Sequence, residues 1–558
     1  MRTRTRLLAG AALGLGIAAA TGAMAQERPA RSDPDRPMSV IDWLDEQASG
    51  AGQTAVPPQG QGSAPANRPG GRVGAPGPYP VLPFPRLDEP PVASSGTSPA
   101  VEVLTLGDQL PDAVGLLPMS VTGLPRNLWR GSEAADLVPL IGAVEPAVPA
   151  LSALLFTLLL AEADAPHGSG ERSDFLAARL DRLLEEGAID PGLALAERAN
   201  GSMNPEIFAR WFDLALLAGS AEPACETLDD RPSLADDMAT RVYCDARMGN
   251  WDHAATVMGT ANALGQLSDR DAELLTRFLD PDLVEGAAPV VPPAQPTPLQ
   301  FRLFEAVGEA LPTQPLPREF AAADLSGNSG WRAQIIAAER LAARGAVSAN
   351  RLLGIYTDRR PAASGGIWDR VAAVQALESA LATNRPDRVG PALVRAWPQM
   401  RSAGLLVPFS ELFGEALADM PLEGRAAGIA RNAALLGTDY ELAAKEIAAT
   451  GVLPERLEVA TGLARGEAPQ DPPDDAMTAA VSAAWSDPTP PPALARMLQQ
   501  GRLGEAVLRA MALFDTGAEG NYDQVTDALA VLRSVGLEDT ARRAALQLLL
   551  LDAEGALR

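Results

Sequence analysis

From Ser132 to the C-terminus, apolar residues recur at three- and four-residue intervals, in runs of roughly 10–18 residues joined by short turns. That spacing lines one face of an α-helix, whereas a strand would alternate its side chains between two faces. The pattern therefore predicts helix after helix, each with an apolar stripe that needs a neighbour. Residues 204–264 show it most clearly. They read as helical hairpins and contain both cysteines, Cys225 and Cys244. The longest apolar run, around Leu151–Ala161, is too short to span a bilayer and reads as a buried helix. The expected fold class is all-α, an α-solenoid of helical hairpins preceded by a disordered N-terminal region.

Upstream of Ser132 the periodicity fails. Residues 1–25 read as a secretory signal peptide: Arg2, Arg4 and Arg6, then the apolar Leu7–Ala20, then Ala23 and Ala25 in an A-x-A site. Residues 26–112 are rich in Pro, Gly and Ala and hold too few large apolar groups to offset the entropy of ordering. Two islands interrupt them. Residues 37–47 form a short apolar helix with Val40, Ile41, Trp43 and Leu44, and residues 101–107 alternate like a strand. An isolated helix that short is unstable in water, so Ile41, Trp43 and Leu44 are candidate partner-binding residues, docking either on this chain or on another. The stretch Val114–Trp129 is apolar but broken by Pro and Gly, and is expected to lie extended against the first helices. Two helical-repeat blocks are expected, 113–280 and 299–558, joined by a Pro-rich linker at 281–298.

The helix junctions carry a resemblance. Gly249, Trp251, Ala254, Met258 and Ala261 resemble the second-helix signature of tetratricopeptide repeats, as do Gly187, Ile189, Gly192, Ala196 and Ala199. Gly501, Leu503, Ala506 and Ala510 follow it more loosely, and so do Gly536, Ala541, Ala545 and Leu548. The first-helix signature is missing, with Val242 where the repeat has glycine. The layout is also similar to an uncharacterised exported bacterial family with tetratricopeptide-like helical repeats, sometimes given an antifreeze-type label. That likeness rests on Ser39–Leu44 and Gly115–Pro125. Regular threonine spacing on a flat face, which ice binding requires, is absent. The resemblance implies an exported repeat protein with extended surfaces for recognition.

Charge and chemistry narrow the choice. The chain of 558 residues carries a formal charge of −25, and more negative still without the leader arginines. Nucleic acid, which demands basic patches, is not the expected partner. In an oxidising compartment the two cysteines are expected to form a disulfide, worth about 3 kcal/mol by loop closure. A hairpin turning near Pro232 leaves arms of unequal length, which a loose connection must absorb. His167 and His253 have no second ligand at metal or triad spacing, and no pair of carboxylates stands out, so neither catalytic residues, metal nor cofactor is expected. The segment Arg359–Arg370 comes nearest to a site: a small-residue loop flanked by Arg359, Arg360, Trp368 and Arg370, without the lysine of a P-loop. Trp211, Trp251, Trp331 and Trp397 are expected between helices. The function expected is that of a periplasmic or secreted, non-catalytic scaffold for a protein or peptide of the cell envelope. The alternative is a cell-envelope enzyme: soluble lytic transglycosylases share a helical superhelix, but their Glu-Ser catalytic signature has no counterpart here.

Overall fold

The computed structural model describes residues 110–556 except 171, 200–203, 285, 327, 470–472 and 487. The leader, the segment with Ile41, Trp43 and Leu44, and the strand-like 101–107 lie outside the described residues. Among those described, all regular elements are helices, and extended pairing is confined to two isolated bridges, Leu117 with Ala161 and Glu133 with His167.

Successive helices pair through tight turns. The four junction glycines Gly187, Gly249, Gly501 and Gly536 all have positive φ, between 76° and 86°. Each ends its helix in the same way. The glycine N–H bonds the carbonyl three residues back, and the next N–H bonds the carbonyl five back, as in Gly249 to Ala246 and Asn250 to Asp245. A left-handed backbone costs other residues about 1–2 kcal/mol, which is why glycine marks these stops.

Helix Pro149–Leu160 is apolar on every side, so one neighbour cannot cover it. It packs against Asp174–Glu185 and also against Glu538–Ala553 and Leu503–Ala518, at the far end of the chain. Glu538–Ala553 is itself buried along most of its length, and Gly424–Leu436 and Glu455–Ala464 also pack on it. At the crossing the Ala150 N–H donates to Gln547 Oε1 at 2.7 Å. A stack whose units touch only their neighbours makes no such contacts. Here the last helices return to the first, with Pro149–Leu160 as the central helix of the crossing.

The stretch before Ser132, expected to lie extended, does so only in part: the short helix Met119–Thr122 and the turns at 126–131 interrupt it. The N–H groups of Leu116 and Leu117 both reach Leu160 O, and Glu162 N–H reaches Leu117 O. Leu117, Leu128 and Trp129 are buried, and the Gly504 N–H donates to Leu128 O at 2.9 Å. This segment thus touches both ends of the helical array. The 281–298 linker runs along the surface and is tied down. Arg277 donates to Ala288 O, the Val290 N–H donates to Glu309, and Val290 is buried.

Cys225 and Cys244 are joined, with their Cα atoms 4.9 Å apart. They clip helix Glu222–Asp230 to Met238–Arg247, and the connection of residues 231–237, with its 3-10 turn Pro232–Leu234, takes up the unequal arms. Three of the four named tryptophans are core, but Trp251 is 47% exposed. Its helix, Trp251–Ala263, buries only Ala254 and Ala261. Neighbours approach closely over those small residues and leave the indole at the edge, against Phe278.

Closure also buries carboxyls. Asp515 accepts from the Ala147 N–H at 2.8 Å, just before the central helix. Burial raises its pKa from 3.8 to about 7, against the pull of the Ala147 and Glu145 N–H groups and of Arg344. Burial lifts Asp213 to about 7 as well, opposed by Arg210. Both groups hold their proton more tightly when folded than when unfolded. Their contribution is therefore complete below about pH 4 and is lost as pH rises towards 7. Melting temperature is expected to fall between pH 5 and pH 8. Asp515→Asn keeps the acceptor and removes the charge, so it should melt higher than the parent at pH 8 and show a shallower slope. An identical slope in the variant would remove Asp515 as a cause.

Candidate functional site

A cavity of about 400 Å³ opens between helices Trp331–Ala342 and Ile367–Leu381. Such a volume lies in the range of small-ligand and side-chain pockets. Helix Trp331–Ala342 presents Arg332, Ile336 and Glu339, whose spacing of four and three places them on one face. Its other face buries Trp331, Ile335, Ala338 and Leu341 in the core. Opposite stand Gly365, Gly366, Ile367, Trp368 and Arg370, with Gln314 at the edge. Gly366, at φ 56° and ψ −122°, is in a conformation open essentially to glycine alone, and it turns the loop into the helix. Asp369 closes the loop by accepting from the Gly365 N–H at 3.0 Å.

The polar floor is fully committed. Glu339 accepts from Arg370 Nε at 2.7 Å and Nη2 at 2.6 Å, and from the Tyr356 hydroxyl at 2.7 Å. Burial works against the Arg370 cation, but the bonds and charge of Glu339 outweigh it and hold the guanidinium above its ordinary range. Burial, reinforced by Glu339, pushes the Tyr356 phenol well above its own. Gln375 pins the preceding loop by donating to Tyr356 O and Arg359 O. The Trp331 indole donates to Ile355 O, and its ring meets Trp368 at 5.2 Å. With Arg370 neutralised by Glu339, exposed Arg332 is the unmatched charge of the lining; no described carboxylate pairs with it.

The loop singled out in the sequence therefore borders this cleft, through Trp368 and Arg370. Arg359 turns instead to Asp358, at 2.9 Å. Arg332, Ile336, Glu339 and Gln314 gave no signal, because a charged helix face reads as solvated and these residues meet the loop only in the fold. His253 pairs with Asp245 on the surface, and His167 lies in the loop that bridges to Glu133. Among the described residues no cluster of three His, Cys, Asp or Glu side chains forms, and no helix is long and apolar enough to cross a membrane. A second hollow, about 340 Å³, lies along helix Pro492–Gln499 and its C-cap Gln500, with Arg509 added from the next helix. No family model, curated protein or solved structure matches this chain.

Proposed function

We propose that the protein is an exported, periplasmic helical scaffold that binds a protein or peptide through the cleft beside Gly365–Gly366, without catalysing a reaction. One observation carries this reading. The cleft combines an apolar wall of Ile336, Ile367 and Trp368 with one unmatched cation, Arg332, while its only lining carboxylate, Glu339, is already held by three donors. A carboxylate so engaged is poorly placed for general acid or base work, which requires a free proton position facing substrate. An aromatic wall beside a free cation suits a peptide with an aromatic or aliphatic side chain next to an acid. The cysteine pair, joined in the structure, and the leader-like sequence of residues 1–25 support export.

Selection of displayed peptides on the full-length protein tests the reading. Acidic peptides with an aromatic residue should be enriched. Trp368→Ala and Arg332→Glu should each weaken their binding about tenfold or more, and Arg332→Glu should leave the melting temperature unchanged. Equal recovery on both variants would move the site elsewhere. Release of soluble fragments from purified peptidoglycan would instead establish the lytic-enzyme alternative.

A further inference from the structure

We propose that the chain's own segment Val40–Glu46 occupies this cleft; the proposal rests on reading the cleft as a peptide site. The segment has the composition that the cleft calls for. Ile41, Trp43 and Leu44 supply large apolar side chains, and Asp42, Asp45 and Glu46 supply three acids within seven residues. No lysine or arginine occurs between Arg36 and Arg68, so the segment's negative charge is undiluted. On the other side stand the apolar wall with Trp368 and the unmatched Arg332, and the exposed Arg360 lies at the foot of the same loop. A single indole buries about 150–250 Å², and a cleft of about 400 Å³ has room for one such ring with part of a neighbouring side chain.

Reach does not limit the contact. Leu44 precedes Leu110, the first described residue, by 66 positions. At roughly 3.3 Å per residue, that length of chain can extend about 200 Å. A folded body of this size is only about 60 Å across. Any face of the body is therefore within range of the segment, and chemistry decides where it docks. Tethering favours this occupant over a second copy of the chain, because docking within one chain does not weaken on dilution.

The test uses the mature full-length chain with Gln314→p-benzoylphenylalanine, at the exposed edge of the cleft. Irradiation followed by peptide mapping should find a cross-link into Val40–Glu46 of the same chain. Its yield should be unchanged over a tenfold dilution. The yield should drop about tenfold or more with Trp43→Ala/Leu44→Ala, since two large apolar groups are lost. Arg332→Glu should lower it, and adding Asp42→Arg and Asp45→Arg to that variant should restore it. Cross-linked dimers that fade on dilution would overturn the proposal, as would cross-links that never enter Val40–Glu46. A synthetic peptide of residues 37–47 separates the two readings. If added peptide cross-links equally well to the parent and to Trp43→Ala/Leu44→Ala, the cleft is a peptide site that its own chain leaves open, and self-occupancy fails alone. If it cross-links to neither, both readings fail.

Discussion

Arg179→Met is expected to destabilise the fold by about 3–5 kcal/mol, a large share of the roughly 5–15 kcal/mol available to a domain. Arg179 is 1% exposed, yet among the described residues no carboxylate pairs with it at contact distance. Its guanidinium donates instead to backbone: Leu159 O at 2.6 Å, Val114 O at 2.7 Å, and Asp112 O and Ala161 O at longer range. Leu159 lies in the last turn of the central apolar helix, whose final carbonyls have no partner within the helix. Asp112 lies in the 3-10 turn Pro111–Ala113, and Val114 follows it in the segment leading into Leu117. One side chain thus caps the central helix and fastens the segment beside it. Burial lowers its pKa from 12.5 to about 10, opposed by the Asp112 carboxylate, so the cation persists at neutral pH. Methionine fills much of the volume but leaves several buried carbonyls without donors, at about 1–3 kcal/mol each before relaxation. Arg179→Lys should rescue only part of the loss, because a single ammonium cannot reach carbonyls on two segments at once. Urea unfolding at pH 7 measures both variants. A loss below about 1 kcal/mol for Arg179→Met would show that water or a shifted backbone replaces the guanidinium.

What the sequence disclosed was local. The glycines at 187, 249, 501 and 536 announced helix stops because a left-handed residue is a property of one position, and all four adopt that conformation. The cysteine pair was legible from the leader-like residues 1–25 and from its spacing, and the structure joins it. The loop at 359–370 was legible as small residues among arginines and tryptophan, and it does border the cleft. The other wall of the cleft was hidden, because the i, i+4, i+7 placement of Arg332, Ile336 and Glu339 resembles any half-exposed helix face. Arg179 left a trace. It sits within the stripe Phe175, Leu176, Leu180 and Leu183, where an exposed arginine has no place. Closure of the array could not be read at all. The partners at Ala150 and Gln547 are 397 positions apart, and helical periodicity says which face is apolar, not what covers it.

Closure gives the second large effect. Gly504→Ala is expected to cost at least about 2 kcal/mol in the parent and less than about 0.5 kcal/mol once Trp129 is alanine. A Cβ at Gly504 would stand 2.3 Å from the Trp129 ring and 3.0 Å from Leu128 O. The ring cannot retreat, since it is 1% exposed and rests edge-on against Phe175, with centroids 5.2 Å apart. The Gly504 N–H also donates to Leu128 O, so backbone and side chain meet at a single point. Gly504 has no need of glycine's backbone freedom: it is the second residue of helix Leu503–Ala518, and its φ is not positive. Alanine there would otherwise gain about 0.5–1 kcal/mol in helix propensity. Trp129→Ala alone should cost about 3–5 kcal/mol through the lost ring and the cavity left behind. In that background the added methyl finds space, the propensity gain offsets the tight approach to Leu128 O, and the coupling across the double-mutant cycle should reach about 1.5 kcal/mol or more. Strictly additive losses, measured by urea unfolding of the four chains, would mean that Leu128–Trp129 does not sit on the Leu503–Ala518 helix in solution and that the two ends of the array are not joined there.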